Sequence, residues 1–434
     1  MPGIRAWLAA FDKKNNVDGR NKPGHDGTKA FAALVLVIGA FVVFAISTTH
    51  ATDSAFESFL QSQWPAAQKL GVSRATFDKA IRGLEPDFSL PDLVIPGRAP
   101  RPAGQAEFVL APADYLKEAT MERLAVQGRK LLQEHRATLA AIETRFGVPG
   151  PIILAIWGRE TAFGGYKLPH DAVRVLATQA YTGRRKDLFR EQFLYALKML
   201  QDGVPRERMR SSWGGAIGLT QFLPAEYYQH GVDFDGDGRV DIWTSVPDAL
   251  ASAAKQLVNK GWQRGLHWAV EVRPPRSVDC TIGVPENTKP ITEWIREGYT
   301  PLRDRFRPEE MKETASLLQP AGLYGPSFLV TKNYFVIKEY NFSDLYVLFV
   351  GHVADRILDP RPFETPWRKV VQMKTADVEA MQKRLTALGL YSDKIDGKAG
   401  MKTRAALGAY QKANRLRVDC WPTADVLNDM RAAR

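Results

Sequence analysis

The 434 residues are 45% apolar and 25% charged, ordinary globular proportions for two or three domains with a sizeable core. The formal charge of +11 suits a polyanionic target such as an envelope polymer or a lipid surface. No Lys/Arg-rich run stands out, which sets nucleic acid aside as a partner, and the two cysteines and seven histidines lack metal-type spacing.

Taken in chain order, Lys29 opens a 17-residue apolar run (30–46). The polar tail STTHA follows, and Thr49-His50-Ala51 is a small-x-small cleavage signal. Residues 1–51 therefore read as an N-terminal extension and secretory signal peptide, with the mature protein exported. A retained inner-membrane anchor, giving membrane association through this segment, is the rival, because the run is near the lower limit for spanning. No cysteine follows the run, so it offers no lipidation site.

Residues from about 54 to 358 carry apolar spacing of three and four and predict helices. FESFLQSQWPAAQKL, RATFDKAI, ERLAVQGRKLLQEHRATLAAIETRF and FREQFLYALKML are examples. A Pro-rich irregular segment lies between Pro86 and Pro112. ALASAAKQLVNKGW is a further helix stopped at Gly261. HWAVEVRPP alternates and predicts a strand, and SDLYVLFVGHVADRI predicts a late core helix. RPFETPW then marks a boundary. The last ~60 residues hold two helical patterns around the turn-rich YSDKIDGKAGMK. The resulting division is 52–360, a linker at 361–371, and 372–434. Cys280 and Cys420 fall in different units. A disulfide between them requires an oxidising compartment; two separate buried thiols are the expectation.

The chemistry centres on AIWGRETAFGGY (155–166). Pro149 and Pro151 suit a helix start and Gly164-Gly165 its end. On that helix Glu160 shares a face with Trp157, Ile156 and Ile153. Apolar burial raises a carboxyl pKa, and an acid kept protonated near neutral pH is what a glycosidic leaving oxygen needs. On spacing alone, a helix-terminal carboxylate paired with Arg159 or another arginine accounts for Glu160 at least as well. Further on, SSWGGAIGLTQFLP gathers small residues that permit close backbone approach. Asp233, Asp235, Asp237 and Asp241 occupy positions 1, 3, 5 and 9 of an EF-hand-like loop. Gly238 is at the sharp turn and Arg239 offers its carbonyl. Thr244 stands where the pattern wants a bidentate acid, so weak structural calcium, sodium or an unmetallated turn all fit.

GVPGPIILAIWGRETAFGGY, SSWGGAIGLTQFLPAEYY and VDFDGDGRVDIWTSVPDALASAAKQL together resemble the lytic murein transglycosylase B family of the goose-type lysozyme superfamily. NKGWQRGLHWAVEV and LLQPAGLYGPSFLVTKNYFVIKEYNFSDLY extend the likeness across about 56–358. The fold this implies is mainly α, a lysozyme-like helical catalytic domain with the EF-hand-like loop inserted. The implied reaction is cleavage of the bond between N-acetylmuramic acid and N-acetylglucosamine without water, leaving a 1,6-anhydro end. The resemblance puts Glu160 at the family's single catalytic acid. Arg184, Arg185, Ser212, Gln221, Phe222, Tyr340 and Tyr346 are the implied glycan-binding residues. Gln256 departs from the family, whose relatives often carry tyrosine in that stretch. Hydrolytic muramidase and non-catalytic wall-binding scaffold are the competing readings.

DVEAMQKRLTALGLYSDKIDGKAGMKTRAALGAYQKANRL resembles the small three-helix peptidoglycan-binding domain, through Gln382, Leu385, Asp396-Gly397, Gly400, Thr403 and Gln411. Met381, Leu385 and Leu388 read as one apolar stripe. The partner implied is the glycan strand, bound by a monomer, with no cofactor required for the chemistry.

Overall fold

The computed structural model describes residues 46–99, 106–276 and 278–432. The apolar leader lies outside these residues except for Ile46, where the helix Ile46–Ser62 begins. Among the described residues no single helix is long and apolar enough to cross a membrane.

Three helices pack around the centre: Glu118–Glu134, Gly150–Thr161 and Asp344–Leu358. The middle one is enclosed on all sides. Every residue of it except Pro151 is buried, as expected of a helix enclosed by others. Pro149 and Pro151 pre-set its first turn. It stops at Thr161, earlier than the glycine pair predicts, because Ala162 and Phe163 both adopt positive φ (50° and 57°). Glu160 is thus the penultimate residue of the helix. A second core joins Ala172–Thr182 and Lys186–Gln201 to the N-terminal helices through Phe56, Phe77, Leu176, Phe189 and Phe193.

The predicted strand is present as Ala269–Arg273. It lies in a five-stranded antiparallel sheet in the order Lys289–Pro290, Thr314–Leu318, Ser327–Val330, Ala269–Arg273, Thr300–Pro301. Period-two alternation splits its side chains between two cores. Ala269, Leu318, Phe328 and Val330 face the central helices, while Val270, Val272, Leu317 and Leu329 pack on Trp294 and Ile291.

The C-terminal module has three helices, Thr375–Ala387, Met401–Ala413 and Ala424–Ala432. Met381 and Leu385 are in its core, but Leu388 lies past the end of its helix and is exposed. Two buried glutamines organise its turns. Gln382 accepts the Asp396 and Gly397 amides and donates to Asp396, Lys398 and Thr403. Gln411 accepts the Asp419 and Cys420 amides.

This module is fastened to the rest of the chain. Cys280 and Cys420 form a disulfide across 140 residues, correcting the expectation of separate thiols. Sequence distance hides their proximity; the helix Met401–Ala413 can approach because a Cβ on Gly408 would stand 2.3 Å from the Cys420 sulfur. Met401 is buried in the central core rather than the module's own. Arg404 reaches Asp344 at 3.0 Å, Tyr324 donates to Asp419 at 2.6 Å, and Lys412 pairs with Asp279.

Candidate active site

Glu160 has no exposed surface. Its Oε1 accepts a 2.5 Å hydrogen bond from the Tyr346 hydroxyl. Tyr346 is in the first turn of Asp344–Leu358, whose N-cap is Ser343. Tyr340 stacks on Tyr346, with ring centres 6.2 Å apart and planes 11° from parallel. Tyr340 in turn donates to the Thr220 carbonyl at 2.9 Å, and Thr161 donates to the Leu219 carbonyl at 2.7 Å. Glu160, Tyr346, Tyr340, residues 219–220 and Thr161 therefore close a ring of contacts. Two segments distant in sequence are tied directly to the helix end that carries the carboxyl group.

Arg159 points elsewhere. Its fully buried guanidinium donates to Tyr115 at 2.8 and 3.1 Å and lies 3.9 Å from Glu107. Burial alone would lower its pKa; Tyr115 and Glu107 outweigh it and raise it. Glu107 comes from the helix Ala106–Val109, in the segment read from sequence as irregular. Nothing in the spacing marks it as a partner for Arg159.

The loop at 211–222 is built on tight backbone geometry. Ile217 bridges both Ser211 and Phe222, and the Leu219 amide donates to Ile242. Gly218 has φ of 74°, and a Cβ there would lie 2.8 Å from Ile242. Ser212 Oγ accepts the Ala216 amide at 3.3 Å, and Gln221, at φ 59°, donates to the Gly218 carbonyl at 3.0 Å. Phe222 is not at an open face: it is wholly buried in the second core, edge-on to His230.

Arg184 and Arg185 converge on Asp92, at 3.3 and 3.5 Å, and so pin the Pro-rich segment to the helical body. Burial lowers the Arg185 pKa, against the opposing pull of Asp92. Arg185 also lies over the Phe189 ring.

In the acidic loop, carboxylate oxygens of Asp233, Asp235 and Asp248 come within 4.8 Å of one another. Asp248 is the residue sequence reasoning missed. It lies beyond the twelve-residue template, in the first turn of Val246–Asn259, and is fully buried. It accepts the Phe234, Asp235 and Asp241 amides. The Ser-x-x-Asp spacing from the N-cap Ser245 was the available signal. Of the other predicted ligands, Asp237 accepts the Arg239 amide. Asp241 is turned toward Trp243, Thr244 and Arg208. Burial would raise the Asp241 pKa, but the Thr244, Trp243 and Arg208 contacts lower it. Three hard oxygen donors fit calcium or sodium.

A cavity of about 290 Å³ opens between the module and the catalytic unit, with Phe108, Lys338, Asp344, Tyr391, Lys398 and Arg404 in its wall.

This fold, with its buried carboxyl group at a helix end, is that of a known domain family. Residues 55–355 match the transglycosylase SLT domain and residues 374–430 a peptidoglycan binding domain. The chain belongs to the transglycosylase SLT domain family. Membrane-bound lytic murein transglycosylase B of Escherichia coli is 30% identical over 218 residues, 49% of this chain and 58% of that protein. The match thus spans little more than half of that relative's length. SltB3 of Pseudomonas aeruginosa, solved with NAG-anhNAM-pentapeptide, aligns with a TM-score of 0.78 at 36% identity, over 87% of this chain and 99% of that one. The Escherichia coli lytic transglycosylase Slt35 in complex with calcium aligns at 0.50 and 26%, over 59% and 81%.

Proposed function

We propose that this protein is an exported peptidoglycan lytic transglycosylase whose single acid and base is Glu160. The observation that carries this is a carboxyl group without exposed surface, hydrogen-bonded by Tyr346, at the motif position of the family. Glu160 gives its proton to the oxygen between N-acetylmuramic acid and N-acetylglucosamine. The substrate's N-acetyl group stabilises the cation. The Glu160 carboxylate, held by Tyr346, then takes the proton of the muramic acid C6 hydroxyl, which attacks the anomeric carbon. One group serves in both directions, as microscopic reversibility allows, and the substrate supplies the nucleophile that a two-carboxylate glycosidase takes from water or its second acid.

Tyr340 faces the sugar while Tyr346 holds Glu160 from behind, Ser212 and Gln221 meet the sugar's polar groups, and Arg184 and Arg185 attract the lactyl and peptide carboxylates. Phe222 supports the loop from within. The fragment complex of SltB3 supports peptidoglycan as the substrate, and the module at 372–434 supplies a second attachment to the same polymer. The Cys280–Cys420 disulfide supports a periplasmic site of action, since such bonds persist in oxidising compartments. Asp233, Asp235 and Asp248 would hold a structural calcium or sodium ion that braces the start of the helix Val246–Asn259.

Mass spectrometry of sacculi digested by the full chain tests the reaction. Released muropeptides one water lighter than reducing-end products are expected. Reducing ends throughout would make the protein a hydrolytic muramidase, and no release would make it a scaffold.

A further inference from the structure

Asp344 opens the helix that carries Tyr346, and its carboxylate is buried. Three donors converge on it. Tyr334 donates to Oδ1 at 2.6 Å and Lys338 at 2.7 Å, both from the helix Lys332–Lys338. The third comes from the C-terminal module: Arg404 donates to Oδ2 at 3.0 Å and holds its other end on the Ala399 carbonyl. Both members of this ion pair are more than nine-tenths buried. A buried charge of this kind is costly to leave unpartnered. Between Lys338 and Asp344 the chain runs through Tyr340 and Phe342, the latter at φ 57°. Asp344 therefore closes a short arch. One foot is Lys338 and Tyr334, the other is the first turn of the Tyr346 helix, and both Tyr346, which bonds Glu160, and Tyr340, which stacks on Tyr346, belong to it. Arg404 is the module's contribution to this knot.

We infer that Arg404 is a positioning residue for catalysis: through Asp344 it fixes the arch that sets Tyr346, backed by Tyr340, against Glu160. The module is then part of the catalytic apparatus as well as a tether. This rests on the assignment of Glu160 as acid and base. It concerns the hydrogen bond from Tyr346 to the reacting group, so it acts mainly on kcat.

The test uses the full chain with soluble, uncrosslinked glycan strands. Arg404→Met is expected to lower kcat about tenfold with KM within about twofold of native, the scale expected when one charged contact acting through a neighbour is lost. Co-sedimentation with sacculi is expected to stay native. Arg404→Lys, which restores a charge near Asp344, is expected to recover kcat to within about threefold. Lys412→Ala cuts the exposed interdomain pair with Asp279 and is expected to leave kcat unchanged. A native kcat in Arg404→Met, or an equal loss in Lys412→Ala, overturns the inference. If Arg404→Met does not fold, Arg404→Gln, which keeps a donor and much of the volume, takes its place under the same criteria. Glu160→Gln measured alongside separates the premises: native lysis there removes the assignment of Glu160. An inactive Glu160→Gln beside a native Arg404→Met removes only the role of Arg404.

Discussion

A carboxyl group that must both give and take a proton needs a neighbour that stabilises each form, and the Tyr346 hydroxyl at 2.5 Å can do so for Glu160. Replacing Glu160 by glutamine keeps shape and burial but removes the transferable proton. Glu160→Gln is expected to lose at least ~10²-fold in glycan cleavage, the usual contribution of general acid–base catalysis, while melting as the native protein does. Residual lysis within about threefold of native would remove Glu160 from the mechanism. Tyr346→Phe keeps the ring against Tyr340 and deletes one hydrogen bond to an ionisable group, about 1.5–3 kcal/mol, so a loss of roughly ten- to a hundredfold in kcat is expected. An unchanged kcat would make the hydroxyl structural. Glu160 and both tyrosines were legible because they lie in short motifs. The partner of Arg159 was not, because Glu107 comes from a Pro-rich stretch with no periodicity to place it.

At the scale of elements, what was legible followed from periodicity, and what was missed depended on space. The helices and the strand Ala269–Arg273 follow from three-, four- and two-residue spacing. The early end of the Glu160 helix rests on two non-glycine residues with positive φ, which no composition rule anticipates. The acidic loop shows the same limit, since a linear template stops short of Asp248. If Asp233, Asp235 and Asp248 hold calcium, added calcium should raise the melting temperature, and Asp235→Asn should abolish the response. Asp237→Asn should retain it, because that carboxylate lies outside the cluster of Asp233, Asp235 and Asp248. Equal responses in the two variants would restore the linear ligand set. The start of the Tyr346 helix makes a pH prediction. Despite burial, which would raise it, Lys338, Arg404 and Tyr334 hold the Asp344 carboxyl well below the usual carboxylate range. A depressed folded pKa gives stability that is complete above the unfolded value of about 4 and is lost as pH falls below it. The melting temperature should therefore drop on acidification from about pH 5 to 3, and Asp344→Asn should flatten that drop. Parallel pH curves would refute it.

Over the whole molecule, the sequence suggests two units joined by a linker, and the structure adds a staple, a shared core residue and ion pairs between them. The Cys280–Cys420 bond encloses 140 residues. In the chain-entropy account a loop of that size restrains the unfolded state by about 5 kcal/mol, an upper figure because strain and residual structure reduce it. The module's own fold depends on different groups: the Gln382 and Gln411 turns and the core of Met381, Leu385, Leu407 and Leu427. Stability and wall binding should therefore separate. A Cys280→Ser, Cys420→Ser double variant is expected to melt several degrees below the native protein. A reductant should bring the native protein down to the same temperature and leave the variant unmoved. Co-sedimentation of the folded variant with sacculi should match the native chain, because the turns around Asp396 and Asp419 are still tied by their glutamines. A variant that melts like the native protein would mean that burial of Met401 and the Arg404–Asp344 pair already hold the module in place. A folded variant that no longer pellets with sacculi would mean that the staple shapes the wall-binding surface itself.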